Sequence, residues 1–232
     1  MTQKIAYLTI DDVPSEDFRS KVDFLLEKGI PAIFFCEGQK LSKFEDDIIF
    51  AIKNGFIIGS HSWSHQNFND LSQDEIKIEI TKTDDLIDEI YKKANVERKI
   101  KLFRFPFLKK GESNKEFAQS ILKDLGYRQP SFDNINYEWY KKEGFHKDLD
   151  VVCTYDSMDW TVSDGSHMFD IKNLQDLFNR MDENIPEGRR GLNFEQSSDI
   201  IMMHDDPRIK EMFKPLIERF LEKGIQFKLP SF

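Results

Sequence analysis

The chain has 232 residues, 39% of them hydrophobic, and a formal net charge of −9. That is enough for one sizeable core, and it offers no basic stripe of the kind nucleic acid needs. No run of about 18 apolar residues marks a membrane span, and Cys36 and Cys153 sit in apolar, strand-like runs, so two buried free thiols are expected rather than a disulfide framework.

Read in order, Ile5 to Ile10 is nearly continuous apolar, the mark of a strand buried on both faces, and Asp11-Asp12 stop it. Ser15 is a plausible N-cap for a helix carrying Phe18, Val22, Leu25 and Leu26, with Gly29 as its stop. Pro31 to Cys36 predicts a second strand, Ser42 to Lys53 a helix, and Phe56 to Gly59 a third strand. Ser72 with Glu75 three residues on is a capping box, opening a long amphipathic helix that continues to about Ala94. Further strands are predicted at Lys101–Pro106, Tyr127–Phe132, Asp150–Tyr155, Ile200–Met203 and Ile225–Leu229. The helices between them run over Lys115–Leu125, Phe169–Met181 and Ile209–Glu222, and residues 133–149 form a loop or short helix. Strand and helix alternate about seven times without a Gly/Ser linker or a repeat. That implies a parallel sheet, open or closed into a barrel; length allows one domain over residues 1–232, of barrel size, or two small ones, and the single domain is the expectation. The chain as written opens Met1-Thr2-Gln3-Lys4 without a signal peptide. That reads as a cytoplasmic protein, or as a secreted or cell-surface one if a leader has been removed.

Ionisable residues follow the C-terminal ends of the strands: Asp11-Asp12, His61, Arg104, Asp156 and His204. In α/β architectures sites are built at that edge, and a barrel brings all its strand ends round one axis. His61 and His65 are four positions apart, about one helical turn, so a chain leaving a strand into a helix points both imidazoles the same way. With Asp12 they make a three-ligand set with room for water, the arrangement of a hydrolytic metal site, with zinc first by ligand type and Co2+ or another divalent ion as alternatives. Asp11 adjoins Asp12, and two carboxylates so close do not share one role: one binds the ion and the other can take a proton from water. Arg104 at the end of an apolar strand needs an anionic partner, either Asp11 or an Asp of the Asp156–Trp160 run. His204 is the candidate general acid. His146 and His167 lie in polar loops and receive no role.

Five motifs together resemble the polysaccharide deacetylases, the metal-dependent family with the NodB homology domain (carbohydrate esterase family 4). They are Thr9-Ile10-Asp11-Asp12-Val13, His61-Ser62-Trp63-Ser64-His65, Arg104-Phe105-Pro106-Phe107, Asp156 to Trp160 and Met202-Met203-His204, in the family's order. The resemblance implies a distorted (β/α) barrel with about seven parallel strands. It also implies a hydrolase that takes acetyl groups from N-acetylated amino sugars or polysaccharide, of the peptidoglycan or chitin kind. An O-acetyl esterase on xylan-like sugars, or a non-catalytic carbohydrate-binding member, are the alternatives. By position it implies that Asp12, His61 and His65 bind the metal, Asp11 is the base, His204 the acid, Arg104 orients Asp11 and Asp156 orients His204. The backbone N–H of Phe107 would hold the oxyanion, and Trp160 and Leu229 would line the pocket for the acetyl methyl. Val13 and Leu108 replace glycines of the family's motifs and are expected to narrow the groove, with 133–149 and 161–199 capping it.

Overall fold

In a computed structural model that describes residues 4–163, 165 and 168–232, the first apolar run becomes strand β1, Lys4–Val13; Met1 to Gln3 and His167 lie outside the described residues. There follow α1 (Phe18–Glu27), β2 (Ala32–Cys36), α2 (Gly38–Leu41), α3 (Glu45–Lys53), β3 (Ile57–Ser60) and α4 (Gln73–Ala94). The second half holds α5 (Lys115–Asp124), α6 (Glu138–Lys142), β4 (Tyr155–Asp156), α7 (Trp160–Ser163), α8 (Leu174–Asp182), β5 (Asp199–His204), α9 (Lys210–Glu222) and β6 (Ile225–Phe227).

All the strand pairs are parallel, in the order β3-β2-β1-β5-β4, with β6 paired to the start of β1. Period-two alternation sorts each strand into two faces. Ala6, Leu8, Ile10, Phe34, Ile58, Ile201 and Met203 pack outward against the helices. Tyr7, Ile33, Phe35, Ile57 and Ile200 face inward with Leu102, Val151 and Val152. The ring from β3 back to β5 is closed by irregular chain. Ser60 exchanges backbone hydrogen bonds with Leu102 and Arg104, the Val151 N–H donates to Phe103 O, and the Thr154 N–H donates to Ile200 O. The barrel is therefore distorted, as the resemblance implies, with six described strands where about seven were expected.

Of the predicted strands, Lys101–Pro106 and Tyr127–Phe132 survive only as isolated bridges, and Asp150–Tyr155 only at its end. The reason is where the carbonyls go. Those of Asp150, Val151 and Val152 accept from the side chains of Gln129, Arg104 and Tyr140, so the ladder loses its acceptors. The capping box at Ser72 and Glu75 forms, and α4 ends on Asn95 in the left-handed region. Helix α1 starts at Phe18, and Ser15 serves the turn before it: its hydroxyl oxygen accepts the Asp17 N–H and its carbonyl the Phe18 N–H, while its own N–H and O–H donate to the buried Asp205 carboxylate.

Candidate active site

The C-terminal end of β1 delivers two carboxylates. Asp11 is fully buried and receives a hydrogen bond from Arg104 at 2.6 Å on Oδ1. Arg104 is itself 0% exposed, and its guanidinium also donates to Thr9 Oγ1 and Val151 O while lying 4.4 Å over the Phe35 ring. A buried cation needs this many partners. The two anionic partners that the sequence leaves open for Arg104 thus resolve to Asp11. Asp12 follows with φ 63°, a left-handed conformation that an aspartate adopts only when its surroundings hold it.

His61 leaves β3 with its Nδ1 bonded to the Arg104 carbonyl at 2.8 Å, so Nε2 is the atom left for the site. That Nε2 stands 3.6 Å from Asp12 Oδ1, and His65 Nε2 stands 3.1 Å from the same oxygen. The segment that carries the two histidines is not the helical turn expected from their spacing. It is an irregular loop, with Ser62 at φ 66° and His65 at φ 57°, and the next helical turn begins at Phe68. A carboxylate from α4 shapes it instead: Glu79 accepts the N–H groups of Trp63 and Ser64 and the Ser64 hydroxyl. Sequence reading passed over Glu79. The signal was an acid on the buried stripe of α4, between Ile76, Ile80 and Thr83.

Asp12, His61 and His65 offer ligand atoms within 4.8 Å of one another. Asp12 Oδ1 is buried and has no hydrogen-bond partner. Three corners of a tetrahedron around zinc stand roughly 3.4 Å apart, which suits these separations. The donor set therefore fits a divalent ion. Burial pushes the Asp12 carboxyl up, but the His65 imidazole beside it and the charges of His204 and His61 outweigh this and hold the carboxyl well below its ordinary range. Burial holds the His61 imidazole below its ordinary value. Burial lowers the His65 pKa, but the Asp12 carboxylate 3.1 Å away overcomes this and lifts the imidazole above its ordinary value.

His204 closes β5 opposite Asp11 in register. Its Nδ1 is bonded to Asp159 Oδ1 at 2.7 Å, and its backbone N–H donates to the other oxygen of Asp159. The expectation that Asp156 orients His204 is therefore corrected. Asp156 spends its oxygens on the Met158 N–H and the Trp160 indole, and it reaches His204 only through its charge. The two aspartates of the motif are three positions apart, and the chain between them passes through the left-handed Met158 (φ 64°). Burial lowers the His204 pKa, but the Asp159 charge and hydrogen bond, with Asp12 and Asp156 nearby, raise it to about 10.

These groups share a cavity of about 320 Å³ walled by Phe105, Phe107, Leu108, Trp160 and Met202. Leu229 is not on that wall. It lies two residues beyond β6, which runs beside the start of β1, and packs on the inward-facing core. Met202, one turn of the pleat below His204, takes its place. Val13 is also absent from the wall: it is fully buried on the outward face. Residues 133–149 do not cap the groove either. Their backbone N–H groups bond Tyr7 and Ser197, and Tyr137 bonds Asp199, all toward the N-terminal ends of β1 and β5. Among the described residues of 161–199 none lines the cavity. Phe107 is 61% exposed, with its ring edge-on to His65 at 4.6 Å.

The family described as polysaccharide deacetylase matches residues 1–130. A peptidoglycan-N-acetylglucosamine deacetylase of Bacillus cereus is 32% identical over 84 residues, 36% of this chain and 30% of that protein. The chain spans about a third of the length of the first curated relatives it matches. Among solved structures, a family 4 carbohydrate esterase from Streptomyces lividans in complex with acetate superposes with a TM-score of 0.66 at 18% identity, covering 97% of this chain and 92% of that one. A CE4 family pseudoenzyme from Bacillus anthracis superposes with a TM-score of 0.64 at 18% identity, covering 97% and 63%.

Proposed function

The chain belongs to the polysaccharide deacetylase family, and we propose that it is a metal-dependent hydrolase that removes acetyl groups from N-acetylated amino sugars or polysaccharide, of the peptidoglycan or chitin kind, and releases acetate. The observation that supports this most is the unpartnered Asp12 Oδ1 facing two imidazole Nε2 atoms, in a cavity that also presents Asp11 and His204. Asp12, His61 and His65 would hold the ion, zinc by ligand type. When bound, such an ion supplies Lewis acidity to the carbonyl and to the attacking water.

The side chains divide the remaining work. Arg104 occupies Oδ1 of Asp11, which leaves Oδ2 to take a proton as water adds to the acetyl carbon. Asp159 holds His204 by Nδ1, so Nε2 gives a proton to the nitrogen as the C–N bond breaks. The Phe107 N–H would donate to the oxyanion; that donor is main chain, so phenylalanine serves as well as tyrosine there. Phe105, Trp160 and Met202 shield the acetyl methyl from water. The test is acetate release from N-acetylglucosamine oligomers and from acetylated xylan, with and without chelator. Release from the N-acetyl substrate, lost with chelator and restored by Zn2+, is expected. Release that ignores chelator would overturn the reading, and release from xylan alone would make the protein an esterase.

A further inference from the structure

The two loops that carry the candidate metal ligands meet on one short stretch, Glu37 to Lys40, which follows β2 and makes up most of α2. The Glu37 N–H donates to the carbonyl of Val13, next to Asp12. The N–H groups of Gly38 and Gln39 donate to the carbonyls of Ser62 and Trp63, between His61 and His65. Gly38 is required by the closeness of that contact: a Cβ there would stand 2.5 Å from the Trp63 ring and 2.6 Å from the Thr83 hydroxyl.

From this stretch one side chain reaches back to a ligand residue. Lys40 Nζ donates to the backbone carbonyl of Asp12 at 3.1 Å and to Glu37 Oε1 at 2.6 Å. Glu37 is 5% exposed, so its charge is anchored, and the ion pair fixes where the ammonium sits. The Asp12 carbonyl needs such a partner. The β1–β2 register jumps from Ile10 to Val13, so the ladder breaks at Asp12, and its φ of 63° turns its backbone out of the strand. Without a donor on that carbonyl, an aspartate relaxes toward the ordinary β region and swings its carboxylate away from the imidazoles.

We propose that Lys40 is a positioning residue for Asp12: by holding the Asp12 carbonyl it locks the left-handed conformation that aims the carboxylate at His61 and His65. The proposal rests on the reading of Asp12 as a metal ligand. Lys40 does not line the cavity, so its effect runs through Asp12.

The test is a Co2+ titration of the metal-free wild-type, Lys40→Met and Lys40→Arg proteins, followed by the visible absorption of the bound ion, with thermal unfolding of each metal-free protein alongside. The Met variant keeps the length of the stem and loses the donor; the Arg variant keeps both charge and donor. Outer partners of metal ligands are commonly worth about 10–100-fold in affinity, and the lower figure suits a half-exposed lysine. Lys40→Met is expected to raise the Co2+ Kd about tenfold and to change the absorption of the bound ion. Lys40→Arg should recover most of the affinity, and the metal-free proteins should unfold within a few degrees of one another. Equal Kd and equal spectra for wild type and Lys40→Met would overturn the proposal while leaving the metal site intact. A loss in both variants that tracks a fall in unfolding temperature would overturn it in favour of a general loss of stability. If the wild type binds no Co2+, both the positioning role and the reading beneath it fall.

Discussion

Strands β1 and β5 each carry charge at both ends, and the two ends do different work. At the N-terminal ends, Lys4 stands 2.7 Å from Asp199, and the pair is enclosed by protein partners. Lys4 also donates to the carbonyls of Gly191 and Phe194, and Asp199 accepts from Tyr137 and Thr154. Burial outweighs attraction even so, holding Lys4 below and Asp199 above their ordinary values. At the C-terminal ends, Asp11 is likewise paired with a buried cation. Beside it, however, Asp12 Oδ1 is left without a donor, and His61, His65 and His204 each keep an Nε2 for the cavity. Each end thus holds a carboxylate oxygen that accepts no hydrogen bond, but Asp199 Oδ2 has a lysine ammonium 2.7 Å away to neutralise it, whereas Asp12 Oδ1 faces only imidazoles and the cavity. The difference teaches that a buried charge marks a site only where its partners do not complete it.

Substitutions at the two ends should separate these roles. Asp12→Ala removes the unpartnered oxygen and should abolish activity, a loss of more than about 10³-fold, while the metal-free protein stays folded; acetate release and thermal unfolding measure both. His204→Gln takes away the proton donor but not the ion, so kcat should fall about 10²–10⁴-fold with metal content unchanged. Lys4→Met inverts the pattern: one partner of a buried pair is lost, stability should fall by about 3 kcal/mol in denaturant titration, and kcat/KM of the folded protein should hold. Asp159→Asn sharpens the comparison by pH. Asp159 favours the protonated form of His204, whose pKa lies at about 10 in the folded protein, above its ordinary value. The stabilisation this gives is complete below the unfolded pKa and is lost as pH rises through about 10. Without that carboxylate the folded pKa drops, so the alkaline limb of the kcat/KM profile should move down by about 1–3 pH units. Phe107→Tyr should do least, less than about twofold in kcat/KM, because the donor assigned to that position is backbone.

Much of this was legible in the sequence, in proportion to how local each signal was. Continuous apolar runs gave β1, β2, β3 and β5, and the Ser72–Glu75 box gave the start of α4, because burial and capping are written in neighbouring residues. The segment 150–153 read as a strand because its side chains are apolar, and nothing in the run says that Gln129, Arg104 and Tyr140 take its carbonyls. At the site, Asp11, Asp12, His61, His65, Arg104 and His204 were found as charges at strand ends, and the structure draws them together. Asp159 was missed in favour of Asp156 because both stand in one short motif and only the folded path of the chain brings Asp159 to His204 Nδ1. Leu229 was misplaced because sequence order does not reveal that β6 pairs only with the first residues of β1. Glu79 showed only as an acid on the buried stripe of α4, with nothing to name the loop it binds, and Lys40 acts on a backbone carbonyl of a distant loop, a contact for which no residue pattern exists.

The most direct measurement is the divalent metal content of the purified protein after dialysis against trace zinc, for the wild type and for Asp12→Ala, His61→Ala and Lys4→Met. One equivalent per chain is expected in the wild type and in Lys4→Met, and close to none in the other two. Equal metal in wild type and Asp12→Ala, or none in any of them, would contradict a metal centre built on the free oxygen of Asp12.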